Sequence, residues 1–195
     1  MSLVETDWLE KNIGSVKIID CSWHMPQTKR NGLEEYKKQH IPNSLFFDLD
    51  ANSKQKIDLP HMLVNQIEWE EIVSKMGIKN DDKIVIYDNS DVISSCRCWF
   101  NFIYFGHNPK LVHVLNGGLK KWIKENKEVT NDVTKITRSN YKSFEKKEFV
   151  KKKEQIDLNI KEQNFKVIDA RSKERFEGKV PEPRKGLRSG SIKNS

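Results

Sequence analysis

Three groupings of residues could do chemistry. The first is the turn after the apolar run KIVIYD at 83–88. In open α/β sheets, ligands bind beyond the carboxyl ends of the strands. A strand-to-helix turn there aims backbone N–H groups at one point and adds the positive end of a helix dipole. A cysteine heading such a turn would be held as a thiolate. This chain has Asp88 instead, which cannot be a sulfur nucleophile. The second grouping is Arg175 and Arg184, which flank the segment FEGKVPEP. Two guanidinium groups on either side of a stiff Pro-Glu-Pro suit a small carboxylate or oxyanion through charge-assisted bonds. Surface arginines on a loop would have the same spacing. Arg171 and Arg188 are expected to be structural or surface residues. The third is Asp50 and His61, which bracket the loop 51–60. A carboxylate orienting a histidine could serve as general base or proton relay. A lone Asp and His at this separation also fit ordinary loop structure.

Cys21, Cys96 and Cys98 are the only cysteines. An odd count does not make a disulfide framework. A C-x-C pair with no second pair or nearby histidines does not complete a zinc site. Buried, reduced core thiols are therefore expected, in a reducing compartment. Cys96 and Cys98 fall inside the helix after the Asp88 turn, and both are assigned to the core.

Alternating elements must position these residues. Helical patterns occupy residues from Thr6, a candidate N-cap, then 33–40, 65–76, 93–105 and 119–126. Short apolar runs at 16–20, 44–50, 83–88 and 110–118 read as buried strands. That order predicts an α/β domain with a mainly parallel central sheet flanked by helices.

The order then restarts. VKIIDC at 16–21 is echoed by KVIDAR at 166–171, and HIPNS at 40–44 by SIKNS at 191–195. A period of about 150 residues is too long for a solenoid and fits two similar domains in tandem. The expected organisation is a first domain at 1–128, a linker at 129–147, and the start of a second copy at 148–195. In that copy a helix is expected at 149–163 and a strand at 165–171.

Composition narrows the class. Hydrophobic residues make up 36% and charged residues 32% of the chain, and the mean hydropathy is −0.74. No apolar run reaches the ~20 residues needed to span a bilayer. No secretory signal is visible, so a cytoplasmic location is expected. The net charge of +7 comes mostly from lysine. No aromatics interleave the lysine runs for base stacking, so a solvated helix face is favoured over a nucleic-acid stripe.

Several motifs resemble one family. Tyr36-x-x-x-His40-Ile41-Pro42 followed by SLFFDLD is similar to the first signature of the rhodanese superfamily. LNGGLKKW at 115–122 resembles its strand-turn-helix, and DARSKERFEGKVPEPRKGLRSG at 169–190 resembles the opening of the catalytic domain in two-domain sulfurtransferases. Asn43 and Ser44 depart from that family's usual Gly-Ala after His-Ile-Pro.

The resemblance implies sulfur transfer from 3-mercaptopyruvate or thiosulfate to a thiol, such as thioredoxin, or to cyanide. It implies a cysteine persulfide and no cofactor or metal. Asp88 would mark the nucleophile slot of an inactive first domain. Arg175 and Arg184 would bind substrate. Asp50 and His61 would belong to a proton relay. Asp20 and Asp88 lie 68 positions apart, so the second copy's cysteine is expected near 237, outside this chain. The chain alone is thus expected to be an inactive fragment. The rival expectations are a non-catalytic rhodanese module and a cysteine-dependent phosphatase or arsenate reductase. The latter would need a C-x5-R loop, and the 88–97 loop begins with Asp.

Overall fold

A computed structural model describes residues 2–183 and 186–195. Two compact units divide between Lys147 and Glu148. In the first, five short strands form one sheet: β1 (Leu3–Val4), β2 (Lys17–Asp20), β3 (Ser44–Phe46), β4 (Ile84–Tyr87) and β5 (Val112–Leu115). Their spatial order is β1-β5-β4-β2-β3, and every pairing is parallel. The expected parallel α/β architecture is what the chain adopts. The edge strand β1 precedes the first helix, in a stretch where no element is expected. Two residues are too short to show periodicity, and the strand exists because Leu3 pairs with Val114.

The period-2 alternation of a strand sends neighbouring residues to opposite faces. Ile19, Ile84 and Ile86 join one buried cluster, together with Trp69 and Val73 of α3 (Gln66–Lys75) and Cys98 and Phe102 of α4 (Ser95–Tyr104). Ile18, Val85 and Tyr87 join the other, with Leu9 of α1 (Thr6–Asn12) and Leu119 and Trp122 of α5 (Gly118–Lys124). Both faces of the sheet are therefore covered, which is why the strands read as continuous apolar runs. The helix α2 (Gly32–Lys38) follows β2.

Local details follow from residue type. Asn65 and Glu68 form a reciprocal capping box that starts α3. Glu5, not Thr6, is the N-cap of α1; Thr6 is the first helical residue, buried and bonded to Glu125. Asn43, where the resembling family has glycine, takes φ 63°. Asn tolerates that left-handed conformation better than most side chains do. Residues 129–147 run back over the first unit. Thr130 bridges His40, and Tyr141 is buried with its hydroxyl 3.1 Å from His107 Nδ1.

In the second unit, α6 (Lys153–Glu162) starts later than expected, and α7 (Lys173–Phe176) is a single turn. The strand expected at 165–171 is not formed. No other strand is present among the described residues of this unit to take up its backbone hydrogen bonds, and an unpaired strand is not stable in water. Among the described residues, no helix is long and apolar enough to cross a membrane.

Candidate functional site

The site lies at the carboxyl ends of β2 and β4. β4 ends at Tyr87, and Asp88 begins the loop to α4. The Asp88 carboxylate accepts hydrogen bonds from Ser90 N (2.9 Å) and Ser95 N (2.8 Å), the latter in the first turn of α4. The turn thus aims N–H groups at one point, as its sequence predicts, and the chain's own carboxylate fills that point. Leu119 N closes the back of the loop on Asp88 O at 3.0 Å. Gly118 is needed here, since a Cβ at that position would lie 2.4 Å from the same oxygen. A cavity of about 370 Å³ opens beside Asp88, lined also by Ile93, Cys96 and Lys120.

The cysteines differ from one another. Cys21 and Cys98 are buried as expected, but Cys96 is exposed and not a core residue. Positions two apart on a helix point about 200° apart, so α4 cannot bury both. Cys96 is not activated: partial burial and then Asp88 push its thiol up. The Cys21 thiol is pushed well up, first by its contact with the Cys98 thiol and then by burial.

Beneath the loop, Asp20 ends β2 almost fully buried. Its Oδ1 accepts from Ser22 N at 2.8 Å. Burial drives its pKa up to about 6, and the neighbouring Asp88 adds to the rise.

The structure brings Asp50 and His61 together. His61 Nε2 is 2.7 Å from Asp50 Oδ1. A carboxylate only accepts, so Nε2 carries the hydrogen and Nδ1 is the imidazole's free nitrogen. The Asp50 side chain is 69% exposed. An exposed polar contact of this kind contributes little and does not hold two side chains in one geometry by itself. Other groups do so. Trp23 Nε1 donates to Asp50 Oδ2 at 2.9 Å, and the indole meets the His61 ring edge-on at 4.9 Å. Arg97 of α4 donates to the His61 carbonyl, and His61 has φ 55°.

Sequence reasoning missed Trp23 and Arg97. Their partners lie 27 and 36 positions away, and no local spacing signals such contacts. A second polar cluster adjoins the pair. Glu35 accepts from Arg30 Nε (2.7 Å) and Asn89 Nδ2 (2.9 Å) and faces His24 Nε2 at 3.1 Å.

In the second unit, Arg175 is ion-paired with Glu182, and Arg171 reaches the same carboxylate at 2.7 Å. Glu182 is the middle residue of the segment read as a stiff spacer. Its carboxyl is held below the usual range, first by the hydrogen bond from Arg175. Arg171 also pairs with Asp169 at 2.6 Å. Arg184 lies outside the described residues. Among the described residues, no group of three His, Cys, Asp or Glu side chains could hold a metal ion.

Known proteins are similar to this chain. The chain is 38% identical to thiosulfate/3-mercaptopyruvate sulfurtransferase 1, mitochondrial, of Arabidopsis thaliana, over 99% of this chain and 56% of the relative. It is 34% identical to the thiosulfate sulfurtransferase of Rattus norvegicus, over 100% of this chain and 67% of the relative. The crystal structure of the 3-mercaptopyruvate sulfotransferase SseA from Escherichia coli superposes with a TM-score of 0.87 at 29% identity, covering 100% of this chain and 73% of that one. The chain spans 56% and 63% of the lengths of two Arabidopsis relatives. The rhodanese-like domain family matches residues 5–125, the stretch that carries β2 to β5 and the Asp88 turn, and the chain belongs to that family.

Proposed function

We propose that this chain is the nucleophile-free first domain, with the opening of the catalytic domain, of a two-domain sulfurtransferase. The donor is 3-mercaptopyruvate or thiosulfate, and the acceptor is a thiol, thioredoxin among them, or cyanide. The observation that carries this reading is the Asp88 carboxylate in the N–H cradle at the end of β4. The turn is built to stabilise an anion, and it contains its own. The relatives named for both donors support the same reading.

In the proposed reaction a cysteine near position 237 of a continuing frame attacks the donor's transferable sulfur as a thiolate. Its persulfide forms as sulfite leaves thiosulfate. With mercaptopyruvate, the pyruvate carbon leaves instead and takes up the thiol proton. The acceptor then attacks the outer sulfur and releases the thiolate. Arg175 and Arg184 hold the carboxylate and carbonyl of mercaptopyruvate, for which Arg175 must exchange Glu182 for substrate. Asp50 and His61 relay the proton. The domain limits proposed are 1–128 and 148–195, joined by 129–147. The proposed compartment is the cytoplasm, although one Arabidopsis relative is named mitochondrial.

The test is turnover by purified residues 1–195. With 3-mercaptopyruvate plus a thiol, or thiosulfate plus cyanide, no pyruvate, sulfide or thiocyanate is expected above the blank. Turnover with either donor refutes the reading. A second reading, a non-catalytic binding module, is favoured by the same self-filled cradle. A residue other than cysteine near 237 selects it.

A further inference from the structure

The Asp88 loop contains no cysteine, yet it is tightly organised, and its hydroxyls bond the segment Cys21 to Trp23. Ser90 Oγ donates to Trp23 O, and Ser94 Oγ accepts from Trp23 N at 3.1 Å. Ser94 Oγ also donates to Cys21 O at 2.6 Å. The backbone of Trp23 is therefore gripped from both sides by the loop 67 and 71 positions away. The indole of that residue in turn donates to Asp50 and packs edge-on against His61. Arg97, in the first turn of the helix that follows the loop, binds the His61 carbonyl. Asp88 closes the chain of contacts, because its carboxylate fixes Ser90 N and Ser95 N and with them the loop's conformation.

We propose that the nucleophile-free loop serves as a positioning device for the Asp50–His61 pair, acting through Trp23 and Arg97. None of Ser90, Ser94, Trp23 and Arg97 is assigned a catalytic role. They set where the exposed carboxylate and imidazole stand. With Nε2–H committed to Asp50, the device presents His61 Nδ1 as the nitrogen free to exchange a proton. This inference rests on the relay role proposed for Asp50 and His61, but its geometric content is independent of turnover.

The experiment is NMR on the 195-residue chain, reading solvent exchange of the Trp23 Nε1–H and His61 Nε2–H protons. Both are expected to be resolved in the unaltered protein, because each donates to Asp50. Trp23→Phe keeps an aromatic ring and deletes the donor; the His61 Nε2–H exchange is expected to accelerate at least tenfold. Ser90→Ala/Ser94→Ala leaves Trp23 in place and is expected to accelerate both protons at least tenfold. Core amides of β2 and β4 are expected to stay within twofold.

Unchanged His61 and Trp23 exchange in these variants overturns the proposal. So does an equal acceleration of the core amides, which would mean general loss of stability, or absence of the His61 signal in the unaltered chain. If the double variant does not fold, Ser90→Ala alone carries the same comparison. Because no sulfur transfer is measured, failure here leaves the proposed function standing, and turnover by this chain would refute its reading as a nucleophile-free part of the enzyme without touching these exchange rates.

Discussion

Asp20→Asn is expected to stabilise the protein at neutral pH. Asp20 sits at the end of β2 with almost no solvent contact. Its hydrogen bonds from the Ser22 side chain and backbone and from Tyr87 do not offset the cost of burying the charge, and the Asp88 carboxylate is close by. The folded-state pKa is therefore about 6, against 3.8 for the free group. At about 1.4 kcal/mol per tenfold change in proton affinity, this difference corresponds to about 3 kcal/mol.

The sign follows from proton binding. Between 3.8 and about 6 the native protein holds a proton that the unfolded chain has released. Stability from this group is complete below that window and falls as pH rises through it. Above pH 7 the native state bears the whole penalty. Asparagine keeps the acceptor for Ser22 N and has no charge to bury. Urea unfolding at several pH values should show the variant more stable than the parent by about 3 kcal/mol at pH 7.5, with the gap falling below about 1 kcal/mol near pH 4. Other titrating groups cancel in the difference between the two proteins. A gap independent of pH, or a variant less stable at pH 7.5, would refute the argument that Asp20 is a strained buried carboxylate.

Two further outcomes are expected. Asp88→Cys places a thiol in the cradle formed by Ser90 N and Ser95 N; its alkylation by iodoacetamide should reach half-maximum well below the free thiol's pKa of about 8.5 and outrun Cys96, and parity with Cys96 would show that the turn does not stabilise anions. His107, buried between Tyr141 OH and the Asp82 carbonyl, has its pKa lowered by burial. Its contribution is complete above the free value of 6.5 and lost as pH falls below it, so His107→Gln should cost more at pH 7.5 than at pH 5.5 in urea unfolding.

The fold was legible wherever a segment's own pattern carried its fate. The runs around Ile18–Ile19 and Ile84–Ile86 announce buried parallel strands because both faces of each are covered. The apolar spacing over 65–76 announces α3 because a helix face repeats within a few consecutive residues. Elements that depend on a distant partner behaved otherwise. β1 exists through its pairing with β5, and residues 165–171 remain without a strand despite a strand-like sequence. Cys96 looked like a core thiol until the direction of α4 turned it outward.

The candidate site divides along the same line. Residue types and order alone determined that a carboxylate heads the turn after β4, that a histidine and an aspartate flank the 51–60 loop, and that arginines bracket the Pro-Glu-Pro segment. These are properties of side-chain chemistry, and no fold is needed to read them. Only the tertiary structure decided which of them meet. It placed His61 2.7 Å from Asp50, set Trp23 over both, and gave Arg175 to Glu182. The reason is that hydrogen bonds reach about 3 Å, whereas the residues that make these ones lie 7 to 27 positions apart along the chain.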